Sequence, residues 1–267
     1  MLFAPGASSG SARLYLPGTR RLPAVDEHIV RPEVTRDEVV RGVRMQALPA
    51  HAPHGDQHNR LGTVVDLHLR RGYVASADLL TRWSEGSNFA TDTSIRRDGV
   101  DPSTGHRFLE EIAFEVVSEQ SLADVCRRAE DMAARGVRRI FAIFVKKGEV
   151  REWSAKLGAF QPLAADTTIR DKALIRPLPV QALLDAAAAR KAIVHALDES
   201  GDPTMEALKD RIRAETTAGA ILTLLEARAL EISPQQRGQV LGCHDLPLLG
   251  EWLRRAATVA STAELFT

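Results

Sequence analysis

Cysteine is scarce: the 267 residues hold only Cys126 and Cys243, far apart and outside any Cys-x-x-Cys pattern. Neither a disulfide framework nor a cysteine-type structural zinc site is indicated, which suits a reducing cytoplasm. A dominant sign of charge is lacking too, since Lys plus Arg and Asp plus Glu both number 35 and the formal net charge is zero. With no global positive field, any contact with a polyanion has to be local. Long apolar runs are missing as well, none approaching the roughly 18 residues of a membrane helix. The start, MLFAPGASSGSARLYLPGTRR, places Pro5 and Gly6 where a secretory signal needs unbroken apolar sequence. No Walker loop, dinucleotide glycine motif or Ser/His/Asp elbow occurs. The expectation is an unexported, cytoplasmic protein with no membrane partner.

What is present is ordinary globular sequence, 44% hydrophobic and 26% charged, enough for one or two domains. Residues 1 to 33 are rich in Gly, Ser, Pro and Arg without periodicity and read as a flexible leader. Thr35 with Glu38 has capping-box spacing and predicts a short helix through Val40 to Gly42, followed by a strand from Val43 to Leu48. Apolar residues from Leu61 to Leu69 predict an amphipathic helix over 56–69 ended by Gly72. Strands are expected over 73–77 and 79–83, then, after the turn Ser84-Glu85-Gly86-Ser87-Asn88, along Phe89 to Arg97. Ile112 to Ser118 is an apolar run of the kind found in central buried strands. Ser121 and Asp124 cap a helix whose stripe of Leu122, Val125, Cys126, Ala129, Met132 and Ala133 stops at Gly136. Arg138 to Val145 is a second buried-strand candidate, so the order strand, helix, strand implies an α/β sheet with helices packed on it.

Beyond residue 180 the pattern turns helical. An Ala-rich segment runs to Ser200, Gly201-Asp202-Pro203 breaks it, and caps at Ser233 with Gln236 and at Asp245 start further helices. This C-terminal region could be an appended subdomain, a partner-binding arm, or a homodimer device acting through Leu222, Leu225, Trp252 and Leu253; the sequence alone leaves these three open.

Two acids interrupt apolar strands: Asp92 beside Phe89 and Ala90, and Glu115 inside Ile112-Ala113-Phe114-Glu115-Val116-Val117. A carboxylate buried there has to be hydrogen-bonded, neutralised or bound to a cation, although an acid at a strand end commonly just faces water. His54-Gly-Asp-Gln-His58 has the spacing of a helical zinc pair but lacks the HExxH glutamate and an evident third ligand. Arg96, Arg97, Arg127, Arg138, Arg139, Lys146 and Lys147 flank these segments and could contact a phosphate backbone, or simply be solvated strand ends.

Taken jointly, Asp92-Thr-Ser-Ile, Glu115-Val-Val-Ser118, and Asp124, Arg128, Met132, Gly136 and Val137 before Ile140-Phe141 resemble the Uma-two family of restriction-endonuclease-like proteins, within the PD-(D/E)XK nuclease superfamily. Glu38-Val-Val-Arg-Gly42 is similar to that family's Glu-x-x-x-Gly opening, and His54 or His58 to its histidine before a helix. The resemblance covers about residues 35 to 155. It implies a restriction-endonuclease-like α/β core over 34–180, a mixed central sheet flanked by helices, with an all-helical extension over 181–267. It also implies an endonuclease hydrolysing DNA phosphodiester bonds with Mg²⁺ or Mn²⁺. Asp92, Glu115 and the Val116 carbonyl would be metal ligands, Arg128 and Glu38 would join the acids as catalytic groups, and His54, His58 and Ser118 would contact substrate. The superfamily's lysine is absent. Its place two residues after the second acid holds Val117, and the family's helix lysine is Arg128, which can clamp a phosphate but does not readily exchange a proton. Arg128 could equally pair with Asp124 on the helix surface. Met132, in place of the usual tyrosine, is expected in the core. The alternative function is a nuclease-fold protein impaired in catalysis that binds nucleic acid or a protein partner.

Overall fold

The computed structural model describes residues 37–46 and 52–266. The expected leader over 1–33 and Thr35 lie outside them. The first described element corrects the expected helix at Glu38. Asp37–Val40 is a strand, β1, joined to β2, Val43–Gln46, by a turn in which both Arg41 (φ 52°) and Gly42 (φ 80°) take positive φ. Two positive φ angles are the signature of the tight hairpin turn that matches strand twist, and glycine supplies one of them without strain. A glutamate three residues after a threonine copied the spacing of a cap. Here Val40 is buried and the Glu38 carboxylate is engaged elsewhere.

Helix α1 spans Ala52–Asp66 and buries Leu61, Val64 and Val65. The strands β3, Tyr73–Ser84, and β4, Ser87–Arg97, form a long antiparallel hairpin, and β5, Glu110–Val117, follows as a strand buried almost throughout. Helix α2, Leu122–Arg135, starts where Ser121 accepts a hydrogen bond from the Asp124 amide at 3.1 Å. It ends at Gly136, whose φ of 117° closes the last turn in the left-handed region. Then come β6, Arg139–Phe144, β7, Glu149–Ser154, and β8, Ala159–Leu163. A small ribbon of β9, Thr168–Ile169, and β10, Leu178–Pro179, leads to α3, Ala186–Ser200.

The main sheet has eight strands in the order β2-β1-β4-β5-β6-β7-β8, with β3 on the other edge of β4. It is mixed: β5 and β6 run parallel across α2, and the remaining pairs are antiparallel. Alternation along β5 feeds two cores. Ile112, Phe114 and Val116 pack with Leu61, Val64 and Val65 of α1, whereas Ala113 and Val117 pack with Val125, Ala129 and Met132 of α2. The architecture is therefore an α/β central mixed sheet flanked by helices, with a helical C-terminal part.

The described residues divide into two compact units at Ala196 and Leu197. The second contains α4, Pro203–Ala227, α5, Pro234–Leu241, and α6, Leu246–Ala256. Its own core is built from Ala218, Ile221, Leu225, Val240, Leu249 and Trp252, with Leu222 and Leu253 packed against it. The side chains offered by the sequence for self-association thus contribute to this unit's interior. No described helix is long and apolar enough to cross a membrane.

Candidate functional site

The site arises from an interrupted ladder. One edge of β4 is taken by β3 along its length. The other edge is shared, with β1 meeting it at Asn88 through Val39 and β5 meeting it only from Thr93 to Arg96. Between these lie Ala90, Thr91 and Asp92, where no strand among the described residues supplies backbone partners on that side. Buried backbone groups need partners, and here side chains provide them. Glu38 Oε1 accepts from the Ala90 amide at 2.9 Å, and Arg128 Nη2 donates to the Ala90 carbonyl. Asp92 Oδ2 accepts from the Val116 amide at 2.5 Å, bridging the fork that opens where β4 and β5 part.

Arg128 fills the notch so formed. Its guanidinium lies 2.6 Å from Glu38 Oε2 and 3.2 Å from Glu115 Oε2, with its carbon 4.2 Å from the Phe89 ring centre. Arg128 accordingly turns inward, and the surface pairing with Asp124 is made by Arg127 instead. Burial alone would weaken the Arg128 charge, but Glu115 and Glu38 hold its pKa above the ordinary value. Glu115 is pushed up to about 8, first by burial and further by the charges of Asp92 and Glu38, against the pull of Arg128. Its Oε1 is buried with no hydrogen-bond partner among the described residues.

Asp92 stands where both helical layers reach it. Burial raises its pKa, while the Val116 amide, His54, His58 and Arg128 oppose that rise. From α1, His54 Nε2 lies 3.9 Å from Asp92 Oδ1, and its Nδ1 lies 3.3 Å from Ser118 Oγ. His58, one helical turn on, touches the Asp92 carbonyl through Nε2. It lies 3.9 Å from Asp78 Oδ1. Ligand atoms of His58, Asp78 and Asp92 fall within 4.8 Å of one another, a cluster compatible with a divalent ion.

Every sequence-derived site residue is therefore placed. Asp92, Glu115, Arg128, Glu38, His54, His58 and Ser118 form one connected network at the fork. Val116 joins it through its amide, as a donor to Asp92. Val117 is buried in the α2 core, on the same face of β5 as Glu115. Asp78 was missed, because nothing in the sequence marks an exposed strand acid as special. Its sole signal is register: the pairs Ala77 with Thr93 and Leu79 with Thr91 set it across from Asp92.

The basic residues near the site are largely engaged within the chain. Arg97 and Arg138 pair with Glu111, Arg138 also with Asp171, Arg139 with Glu152, Lys146 with Glu119, and Arg127 with Asp124. Much of their charge is answered locally.

No protein-family model matches the sequence. No curated protein matches it either. Among solved structures, the chain is similar to a protein from Anabaena variabilis ATCC 29413 described as a candidate nuclease belonging to DUF820. The likeness covers 55% of this chain and 89% of that one, at 15% identity and a TM-score of 0.46.

Proposed function

We propose that this chain is a metal-dependent endonuclease that hydrolyses phosphodiester bonds in DNA, with Asp92 at the centre of its active site. The observation that carries this reading is the half-buried Asp92 carboxylate in the gap of the β4 edge, with two histidines and Asp78 about it. The sequence resemblance to the Uma-two pattern points to the same residue independently. The donor set fits a divalent cation, since carboxylate oxygens and an imidazole converge at the sheet's open fork. A bound divalent ion supplies Lewis acidity toward a phosphate oxygen and acidifies a bound water.

The chain's own residues do the rest. Arg128 stays charged and fixes Glu115 and Glu38, so that a fixed positive centre stands beside developing phosphate charge. His54, held at Nδ1 by Ser118 Oγ, has its Nε2 toward the Asp92 carboxylate and serves to orient it.

The second reading is a nucleic-acid or protein binding module without cleavage, and one observation favours it: an arginine occupies the acid notch, where a lysine would be able to exchange protons. Cleavage of supercoiled plasmid with Mg²⁺ or Mn²⁺ separates the two. Nicking by the wild type that disappears in Asp92→Ala supports the nuclease. Nicking unchanged in Asp92→Ala, or absent from the wild type, removes it.

A further inference from the structure

The carboxylates around Asp92 offer two flanks for a cation, and the protein fills one of them itself. Between β1 and β5, the Arg128 guanidinium contacts Glu38 Oε2, Glu115 Oε2 and the Ala90 carbonyl. A second positive charge pressed into that notch would meet like charge at short range in a buried setting.

The flank toward α1 is different. Three elements converge on it: α1 through His58, β3 through Asp78 and β4 through Asp92. We propose that the metal ion is held by His58, Asp78 and Asp92, on the α1 side of the fork, and that it is a first-row transition ion such as Mn²⁺ or Zn²⁺ in preference to Mg²⁺. This rests on the reading above that Asp92 binds a divalent ion, and it specifies where and which.

Geometry supports the location. Metal bonds of about 2.0–2.6 Å put two ligands of one ion at most about 4–5 Å apart. The three donor atoms already lie within 4.8 Å of one another. Asp78 has a side chain 73% exposed, so the site opens to solvent and leaves room for a phosphate oxygen or water. His54, between Ser118 Oγ and Asp92 Oδ1, is arranged as the outer partner that orients a ligating carboxylate.

Donor chemistry supports the ion. Mg²⁺ asks for hard oxygen ligands in octahedral array, whereas an imidazole nitrogen binds transition ions more readily, in the order in which Zn²⁺ exceeds Mn²⁺. One nitrogen and two carboxylates therefore penalise Mg²⁺ without excluding Mn²⁺.

The test is equilibrium binding on the full chain, read by the electron paramagnetic resonance of free Mn²⁺ with Zn²⁺ and Mg²⁺ as competitors. Expected is one Mn²⁺ per chain, displaced by Zn²⁺ at far lower concentration than by Mg²⁺. His58→Ala and Asp78→Asn should each weaken binding about tenfold or more, and Glu115→Gln should affect it far less than either. Asp78 is exposed and asparagine tolerates its φ of 49°, so that variant should fold. If Glu115→Gln abolishes binding while His58→Ala and Asp78→Asn bind normally, the ion sits between Asp92 and Glu115; the nuclease reading then survives and this site does not. Mg²⁺ displacing Mn²⁺ as readily as Zn²⁺ does would overturn the ion preference. A wild type that binds no Mn²⁺ removes both this site and the metal-dependent reading.

Discussion

Arg128 Nη2 lies 3.2 Å from Glu115 Oε2, a contact between α2 and the central strand β5 that answers a carboxylate which burial would otherwise leave uncompensated. Because the same guanidinium also meets Glu38, removing it strands two acids at once.

Arg128→Met should therefore cost about 3–5 kcal/mol, the usual penalty for breaking a buried pair. Adding Glu115→Gln should cost less than the two single losses summed, since one of the two acids left without its partner is gone. Chemical unfolding of the two single variants and the double variant measures the coupling, and strict additivity would contradict it.

Val117→Lys should destabilise the sheet unit. Val117 is 6% exposed among Val125 and Phe144, and burying a longer, charged side chain there costs on the order of 2 kcal/mol or more. Arg128→Lys should be milder, keeping the charge while losing part of the forked contact. Thermal unfolding of the two variants side by side decides the order.

An acid limb should appear in the stability of the same unit. Asp171 receives Arg138 at 2.5 and 2.6 Å, and Glu111 receives Arg97, Arg138 and Lys172. Burial would raise both acids, but these partners bring each below its ordinary pKa. Depressed carboxylate pKa values give stability that is complete above the unfolded-state values of about 3.9–4.3 and fades as pH falls below them. Asp171→Asn should lower stability at pH 7 and flatten that acid slope. An unchanged slope by denaturant titration from pH 7 to pH 3 would refute the assignment.

Gly136→Ala should shift unfolding by about 1 kcal/mol. The φ of 117° is the cause, since an added Cβ would meet only Leu109 Cδ2 at an ordinary 3.8 Å. In the C-terminal unit, Ser233→Ala should remove one half of the capping box with Gln236 and cost about 1 kcal/mol. Hydrogen exchange in α5 would report it.

Strands β4 and β5 and helix α2 were legible because their signals are local and agree: an apolar run, a serine cap and a glycine stop. Helices α5 and α6 were legible for the same reason, through Ser233 and Asp245. The hairpin at Glu38 was not, because its glutamate satisfies the amide of Ala90, a partner distant in sequence, and only spacing to Thr35 was visible. His54 and His58 announced themselves by their spacing. The residue completing the cluster with His58, Asp78, comes from strand register, which short-range patterns do not encode.

The hairpin of β1 and β2 meets β4 through one backbone register pair, Val39 with Asn88, and otherwise through side chains and the Gly42 amide on Gly86. In the currency of local breathing, such an attachment detaches more readily than the continuous ladders farther into the sheet. Were it to lift, Glu38 would leave with it, and Arg128 would be shared among fewer acids. The electrostatic character of the notch is thus tied to a peripheral flap, and a ligand settling there would be felt first as slower amide exchange at Val39 and Val40.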